Sequence, residues 1–465
     1  MPSRMTPQAR QGPVRNIVRL AWPMLISQWA GIAFAVLDST MLGHTNPVSL
    51  QAMALSVSIF MTIHIGLMGI VHALVPICAQ LFGALRHAEI GRFIGQGIWL
   101  SLFLSIIGST LLLFPDVWLS YSGDLPSQVR QEVTVYLRIC CVALPAALMF
   151  RCVYALATAV QRPRLLMYIS LASVLVKLLF NWLLIFGHGG FPALGSAGAA
   201  TSTAIVSWIA LTAGLLAVSR DRFYEPFKLR LGRPVWSAQK EILQLGLPMG
   251  GSYLAEVSSF TFMALLAARE GTFVSGGHQI LANLVSLLYM LPLAIGIATS
   301  SLVAQALGAR QPEQARRLAR IGIGLGLAGV ALSLLIVMTA RPQIIQIYTS
   351  DPAIATMAYA LLTILPLLHT SDALQCMLSY ILRAHKIATM PFVIQTGSLF
   401  GIGLVGGWYF GFGPGYRQLD GVAALLTPGA PPGVASLWIM CSFSMLLCAI
   451  TLAIWYWKSV NVRKQ

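Results

Sequence analysis

Residues 20–43 read LAWPMLISQWAGIAFAVLDSTMLG, an apolar run interrupted by one charged side chain, Asp38. A run of roughly 20 apolar residues is long enough to cross a bilayer as a helix. A charge inside such a helix costs about 2.5–3.5 kcal/mol on insertion scales, so it is kept where it faces a cavity, a partner or a moving ion. Glu256 and Asp372 stand inside later apolar runs in the same way, in a chain that is only 9% charged. Together the three carboxylates predict a transporter with ionisable groups on its path.

The rest of the chain resembles that first run. Mean hydropathy is +0.77 and 57% of residues are apolar, which excludes an ordinary soluble domain. Apolar segments recur near 17–43, 48–82, 94–114, 132–159, 165–187 and 193–219. A second set follows near 240–268, 274–307, 318–340, 353–382, 389–411 and 433–457. They predict an all-α integral membrane protein with twelve transmembrane helices. The first run is too long for the apolar core of a signal peptide and reads as a retained span.

A net charge of +16 suggests a nucleic-acid partner only until the basic residues are located. Of the 30 Lys and Arg, 23 fall in the two termini and in every second loop, as with Arg86 and Arg92, the cluster from Arg220 to Lys240, and Arg383 with Lys386. The intervening loops carry Arg130, Arg269, Arg341 and Arg417. This is the positive-inside pattern, so both termini are expected in the cytoplasm and no nucleic acid is implied. The seven Cys lie in apolar segments without a C-x-x-C pair and read as small buried hydrophobes, with no metal or redox role.

Shifted by 225 positions, Pro23-Met24-x-x-Ser27 falls on Pro248-Met249-x-x-Ser252, Ala79-Gln80 on Ala304-Gln305, Gly83-Ala84 on Gly308-Ala309, and Arg92 on Arg317. One offset linking such distant landmarks marks an internal repeat. The expected organisation is a cytoplasmic N-terminus (1–16), a six-helix half (17–219), a cytoplasmic linker (220–239), a second six-helix half (240–457) and a cytoplasmic C-terminus (458–465). An even number of spans returns the second half in the same orientation, giving two pseudo-symmetric bundles with the substrate path between them.

Helical spacing puts Ser252 and Ser259 on the face of Glu256, with Phe260 and Met263 continuing it. Such a stripe suits a water-lined wall with soft apolar contacts for a bulky cation. Asp372 shares its face with His369, Gln375, Cys376 and Ser379. The acids Glu256 and Asp372, with Phe260, Met263 and Gln375, form the expected substrate surface. His64, His72 and His278 read as packed helix residues. Trp22, Trp118, Trp182, Trp455, Tyr456 and Trp457 fit an interfacial belt. Arg138 and Arg151, inside the fourth segment, require partners or an aqueous face.

These residues resemble the multidrug and toxic compound extrusion family of secondary transporters. The resemblance is carried by LDSTMLG (37–43), VPICAQLFGA (75–84), LAEVS (254–258), GHQI (277–280) and VAQALG (303–308), and extends over about residues 17–457. It is nearest to the branch of bacterial sodium- or proton-driven drug exporters. It implies an antiporter of the bacterial inner membrane, acting as a monomer on small cationic drugs or metabolites. It implies no cofactor, with protons or sodium as coupling ions. The family's functional carboxylates fall on Asp38, Glu256 and Asp372. Its N-half cation site joins the first-helix Asp to two Asn one turn apart on the fifth helix and a Thr on the sixth. Here the second Asn is Asn181 and the Thr is Thr203, but the first Asn position holds Lys177. An ammonium there predicts that sodium avoids the N-half and that any sodium site lies at Glu256 and Asp372.

The nearest alternative is a flippase for lipid-linked saccharides, which needs a basic cavity and draws on Lys177, Arg138 and Arg151. The Asp-Arg-x-Gly-Arg loop signature of major-facilitator exporters is absent, as is the D-D-x-x-D cluster of membrane prenyl transferases. The chain is therefore not expected to be an enzyme.

Overall fold

The structure, a computed structural model, describes residues 12–43, 47–120 and 126–461. Parts of the expected cytoplasmic ends, residues 1–11 and 462–465, lie outside the described residues. All regular structure among those described is helical. In chain order the helices are α1 (Pro13–Gly43), α2 (Pro47–Val71), α3 (Leu74–Gly83), α4 (His87–Leu113), α5 (Pro115–Leu119), α6 (Ser127–Ala159), α7 (Pro163–Phe186) and α8 (Ser196–Arg220). A 3-10 turn (Arg222–Phe227) precedes α9 (Trp236–Ala267) and α10 (Thr272–Gly308). Then follow α11 (Pro312–Thr339), α12 (Arg341–Tyr348), α13 (Pro352–Leu362), α14 (Leu365–Ala384), α15 (Thr389–Thr396), α16 (Val405–Phe412), α17 (Asp420–Leu426) and α18 (Pro432–Asn461). Among the described residues, eleven helical runs are long and apolar enough to cross a membrane, α2 with α3 counting as one, and the bent pair α13–α14 makes twelve if it is one span.

Two of the expected spans are broken, each beside a proline. Between α2 and α3 the helix is interrupted at His72 and Ala73, because Pro76 has no N–H to give and its ring excludes the carbonyl of His72. Helices α13 and α14 meet at 55°. Pro366 lies in the first turn of α14, and the Thr363 hydroxyl lies 2.6 Å from the carbonyl oxygens of both Ala360 and Leu426. The run from α15 to α16 passes through a π-helical stretch, Gly397–Leu404, whose sequence GSLFGIGL supplies the Gly and Ser at which helices widen.

Residue contacts divide the chain into two compact units. One comprises Trp22–Gly250 with Ala304–Gln311. Its long helix α6 packs against α2, α3, α4 and α8. Small residues permit the close approach: a Cβ on Gly97 would meet Leu74, and one on Gly108 would meet Leu144 and Leu67. The Ser101 hydroxyl of α4 donates to the Leu148 carbonyl of α6 at 3.2 Å. The other unit comprises Gly251–Val303, Pro312–Gln465 and the start of α1. There α18 packs against α14, α16 and the π-helical stretch, and buries Trp438 completely among Met263, Val434, Leu437 and Cys441.

Candidate coupling and substrate sites

In the unit Trp22–Gly250, three helices bring together the residues that the sequence singled out. Lys177 and Asn181 lie one turn apart on α7, so both face α1 and α8. Lys177 Nζ is 2.9 Å from Asp38 Oδ1, and Asn181 Nδ2 donates to the same oxygen at 2.7 Å. The ammonium also donates to Thr203 Oγ1 at 2.6 Å and to the Ala199 carbonyl at 3.1 Å. Thr203 in turn donates to Ala199 O at 2.9 Å. Lys177 and Asn181 are 0% exposed and Asp38 is 6% exposed.

Every ammonium direction aimed at a neighbour thus ends on an oxygen, which a buried cation requires. The pair has no net charge. The Asn181 side-chain oxygen is buried without a hydrogen-bond partner, leaving an acceptor beside the carboxylate that a proton on Asp38 could use. Lys177 therefore sits within the amide position of the expected cation site, in direct contact with its carboxylate.

In the other unit the acids stand among amides and phenols. Gln375 Nε2 donates to Asp372 Oδ1 at 3.0 Å, and Gln395 Nε2 on α15 donates to Gln375 Oε1 at 2.7 Å. Glu256 is half-buried on α9. It accepts a hydrogen bond from the Tyr289 hydroxyl of α10 and lies within electrostatic reach of Asp372 and Arg383. Phe260 packs at 6.3 Å from the Trp438 ring. Met263, expected at the substrate surface with Phe260, is 1% exposed and belongs to the core around Trp438.

Arg383 requires a correction. The sequence counted it with the basic residues of a connecting loop, but it lies in the last turn of α14 at 3% exposure. Its Nη1 donates to the Tyr253 hydroxyl at 3.0 Å, the Tyr253 and Tyr380 hydroxyls are 2.6 Å apart, and the guanidinium lies 4.9 Å from each ring. Two aromatic faces hold the cation where water is excluded. Tyr253, Tyr289, Tyr380, Gln395 and Arg383 are site neighbours that sequence reasoning missed. Tyr253 precedes Glu256 by three positions, and Tyr380 and Arg383 extend the Asp372 stripe by further turns, so helical spacing could have found these three. Tyr289 and Gln395 come from other helices and leave no local signal.

The histidines are packed. His278 lies 5.3 Å from the Trp438 ring, His72 lies 5.8 Å from the Tyr154 ring, and His64 stacks on Phe60 at 5.6 Å. None of the seven Cys is in a disulfide. Among the described residues no cluster of His, Cys, Asp and Glu could hold a metal ion.

A multi-pass helical bundle with buried carboxylates on several of its spans defines the class of polytopic membrane transporters. The MatE family model matches residues 23–183 and 248–409, and the chain belongs to that family. The two matches begin at Pro23 and Pro248, the prolines that open the sequence repeat. The chain is 37% identical to the "Probable multidrug resistance protein NorM" of Aromatoleum aromaticum, covering 87% of this chain and 88% of the relative. It is 29% identical to the "Multidrug resistance protein MdtK" of Yersinia pseudotuberculosis, covering 95% and 94%. Among solved structures, the eukaryotic MATE transporter AtDTX14 aligns over 97% of this chain and 98% of its own, with a TM-score of 0.86 at 21% identity. An outward-facing multidrug resistance MATE family transporter aligns over 98% and 97%, with a TM-score of 0.83 at 19% identity.

Proposed function

We propose that this chain is a multidrug efflux antiporter that exports amphipathic organic cations in exchange for protons. The observation that carries the choice of ion is the direct contact of Lys177 with Asp38. A fixed cation occupies the place where sodium would need an amide, and the carboxylate keeps an oxygen that a proton can take. Two charges 4 Å apart repel by about 4 kcal/mol at an effective dielectric near 20, enough to remove weak sodium binding there. The relatives named as multidrug resistance proteins support the export of several drugs.

In this scheme Glu256 and Asp372 receive the drug's positive charge, with Gln375 orienting Asp372, and Phe260 and Met263 supplying adaptable apolar contact when the site opens. Antiport requires that the coupling ion and the drug disfavour one another at a shared site. The two six-helix halves, 17–219 and 240–457, rock about the linker at 220–239 to give alternating access. The protein works as a monomer in the bacterial inner membrane with both termini in the cytoplasm, which the distribution of Lys and Arg supports.

Efflux of a fluorescent cationic dye from proteoliposomes tests the proposal. A pH gradient alone should drive it and a sodium gradient alone should not. Transport on sodium with no pH gradient would overturn proton coupling, and absence of dye movement under either gradient would overturn drug export.

A further inference from the structure

Arg138, which the sequence left without a partner or an aqueous face, is exposed on α6. It makes no hydrogen bond or ion pair among the described residues. It lines a groove between α6 and α8 in the unit Trp22–Gly250, with a volume of about 730 Å³. Arg138 is the one charged side chain among the residues lining that groove, and the others are apolar apart from Thr201 and the Trp208 ring nitrogen. Trp208 Nε1 donates to the Val142 carbonyl at 3.0 Å, which ties α8 to α6 within the groove. Val142, Trp208 and Ile209 remain exposed.

A second cavity, of about 520 Å³, adjoins the first at Val135, which lines both. Its walls come from helix ends: Ser49 lies in the first turn of α2, Phe186 closes α7 and Ser196 opens α8. Each of these helices belongs to a run long and apolar enough to cross a membrane, so their shared end marks a membrane surface. Glu132 of α6 lines this cavity and is half-buried. Its Oε2 accepts a hydrogen bond from the Ser196 hydroxyl at 2.7 Å. Its Oε1 has no hydrogen-bond partner among the described residues.

From the surface inward along α6 the order is therefore a carboxylate, a guanidinium and an apolar groove. Glu132 and Arg138 are six positions apart, about 9 Å along the helix axis, and no ion pair joins them. A guanidinium on an apolar span is retained where an anion or the headgroup layer compensates it, and no carboxylate lines its groove. Its planar fork suits a phosphate ester, held by two parallel N–H···O bonds. The open carboxylate oxygen suits a primary ammonium, which has N–H donors to give. A phospholipid with an ammonium outermost, a phosphate next and acyl chains below presents those groups in the same order.

We propose that this face of α6 and α8 binds one phospholipid with a primary ammonium headgroup, phosphatidylethanolamine. Its phosphate sits on Arg138, its ammonium on Glu132, and an acyl chain lies against Val142, Ile205 and Ile209. A purely anionic headgroup would leave Glu132 without a partner, so the two charges together select the zwitterion. The site does not rest on the efflux proposal, because lipid binding is measured without a gradient or a drug.

The test is native mass spectrometry of the delipidated, purified full-length protein, adding one lipid at a time with identical acyl chains. Phosphatidylethanolamine should bind at least tenfold more tightly than phosphatidylcholine, whose ammonium has no N–H, or phosphatidylglycerol, which has no ammonium. Glu132→Gln should bring phosphatidylethanolamine down to the level of phosphatidylcholine. Arg138→Gln should weaken phosphatidylethanolamine at least tenfold, and so should Thr201→Trp, which fills the groove from α8. Equal binding of phosphatidylethanolamine and phosphatidylcholine by the wild type would overturn the proposal even if every variant failed to fold. Tighter binding of phosphatidylglycerol would assign the groove to an anionic lipid and overturn it too. So would a preference that survives in Glu132→Gln, or unchanged affinity in Arg138→Gln, at a wild-type melting temperature.

Discussion

Lys177 and Asp38 are each tolerable in an apolar interior because of the other. Removing one partner of a buried ion pair strands a charge and typically costs about 3–5 kcal/mol, whereas replacing both is often neutral or stabilising. Lys177→Met should therefore lower the melting temperature of the purified protein sharply, and Asp38→Asn with Lys177→Met should recover most of the loss while leaving drug efflux impaired. A double variant no more stable than Lys177→Met would show that the pair is not a closed unit. Lys177→Asn makes the complementary prediction about ion choice. It removes the fixed cation and supplies the missing amide one turn before Asn181, so efflux should become drivable by a sodium gradient. Sodium-driven efflux that is already present in the wild type and unchanged in the variant would refute the idea. In the other unit, Glu256→Gln and Asp372→Asn each remove a buried charge and its insertion cost. Membrane abundance should hold or rise while export of cationic drugs falls at least tenfold. Normal export by both variants at equal abundance would make these acids structural.

At the scale of the helix, periodicity reached some features and missed others for identifiable reasons. Lys177 and Asn181 stand four positions apart, so their common face is fixed by helical geometry, and their convergence on Asp38 was expected from the family resemblance. Arg383 was missed because a basic residue near Lys386 looks like part of a loop. Its burial depends on Tyr253, 130 positions away. The bend between α13 and α14 was hidden inside one apolar run, since Pro366 can open a helix or kink one. What distinguishes the cases is Thr363, whose hydroxyl meets the Ala360 carbonyl at the break and the Leu426 carbonyl at the end of α17. A buried acceptor deprived of its donor costs about 1–3 kcal/mol. Thr363→Val should therefore destabilise the purified protein by that amount and Thr363→Ser by much less. Equal melting temperatures for the two variants would show that the hydroxyl does not hold the bend.

Across the whole molecule, the sequence repeat reappears as a reciprocal contact between the ends of α3 and α10. Residues Ala304–Gln311 pack within the unit Trp22–Gly250, and the crossing is made by backbone. A Cβ on Gly83 would lie 1.9 Å from the Gln305 carbonyl oxygen, and a Cβ on Gly308 would lie 1.9 Å from that of Gln80. The two glycines and the two glutamines are related by the same offset, so each copy of the motif supplies both the gap and the group that enters it. Gln305 adds side-chain ties, one between its amide and that of Gln161 and one from Nε2 to the Ala159 carbonyl at 2.6 Å. Backbone cannot yield as a flexible side chain can, so a methyl at either glycine must separate the helix ends. If the transport cycle closes and reopens at this crossing, Gly83→Ala or Gly308→Ala should hold it apart. Efflux should fall at least tenfold in either variant with abundance maintained, and combining the two should add little because either one already prevents the approach. A cysteine at Ala306, which is buried here, should label slowly with a maleimide in an otherwise Cys-depleted wild type and much faster beside Gly83→Ala. Wild-type efflux and unchanged labelling in the alanine variants would mean that the crossing stays fixed and the moving parts lie elsewhere.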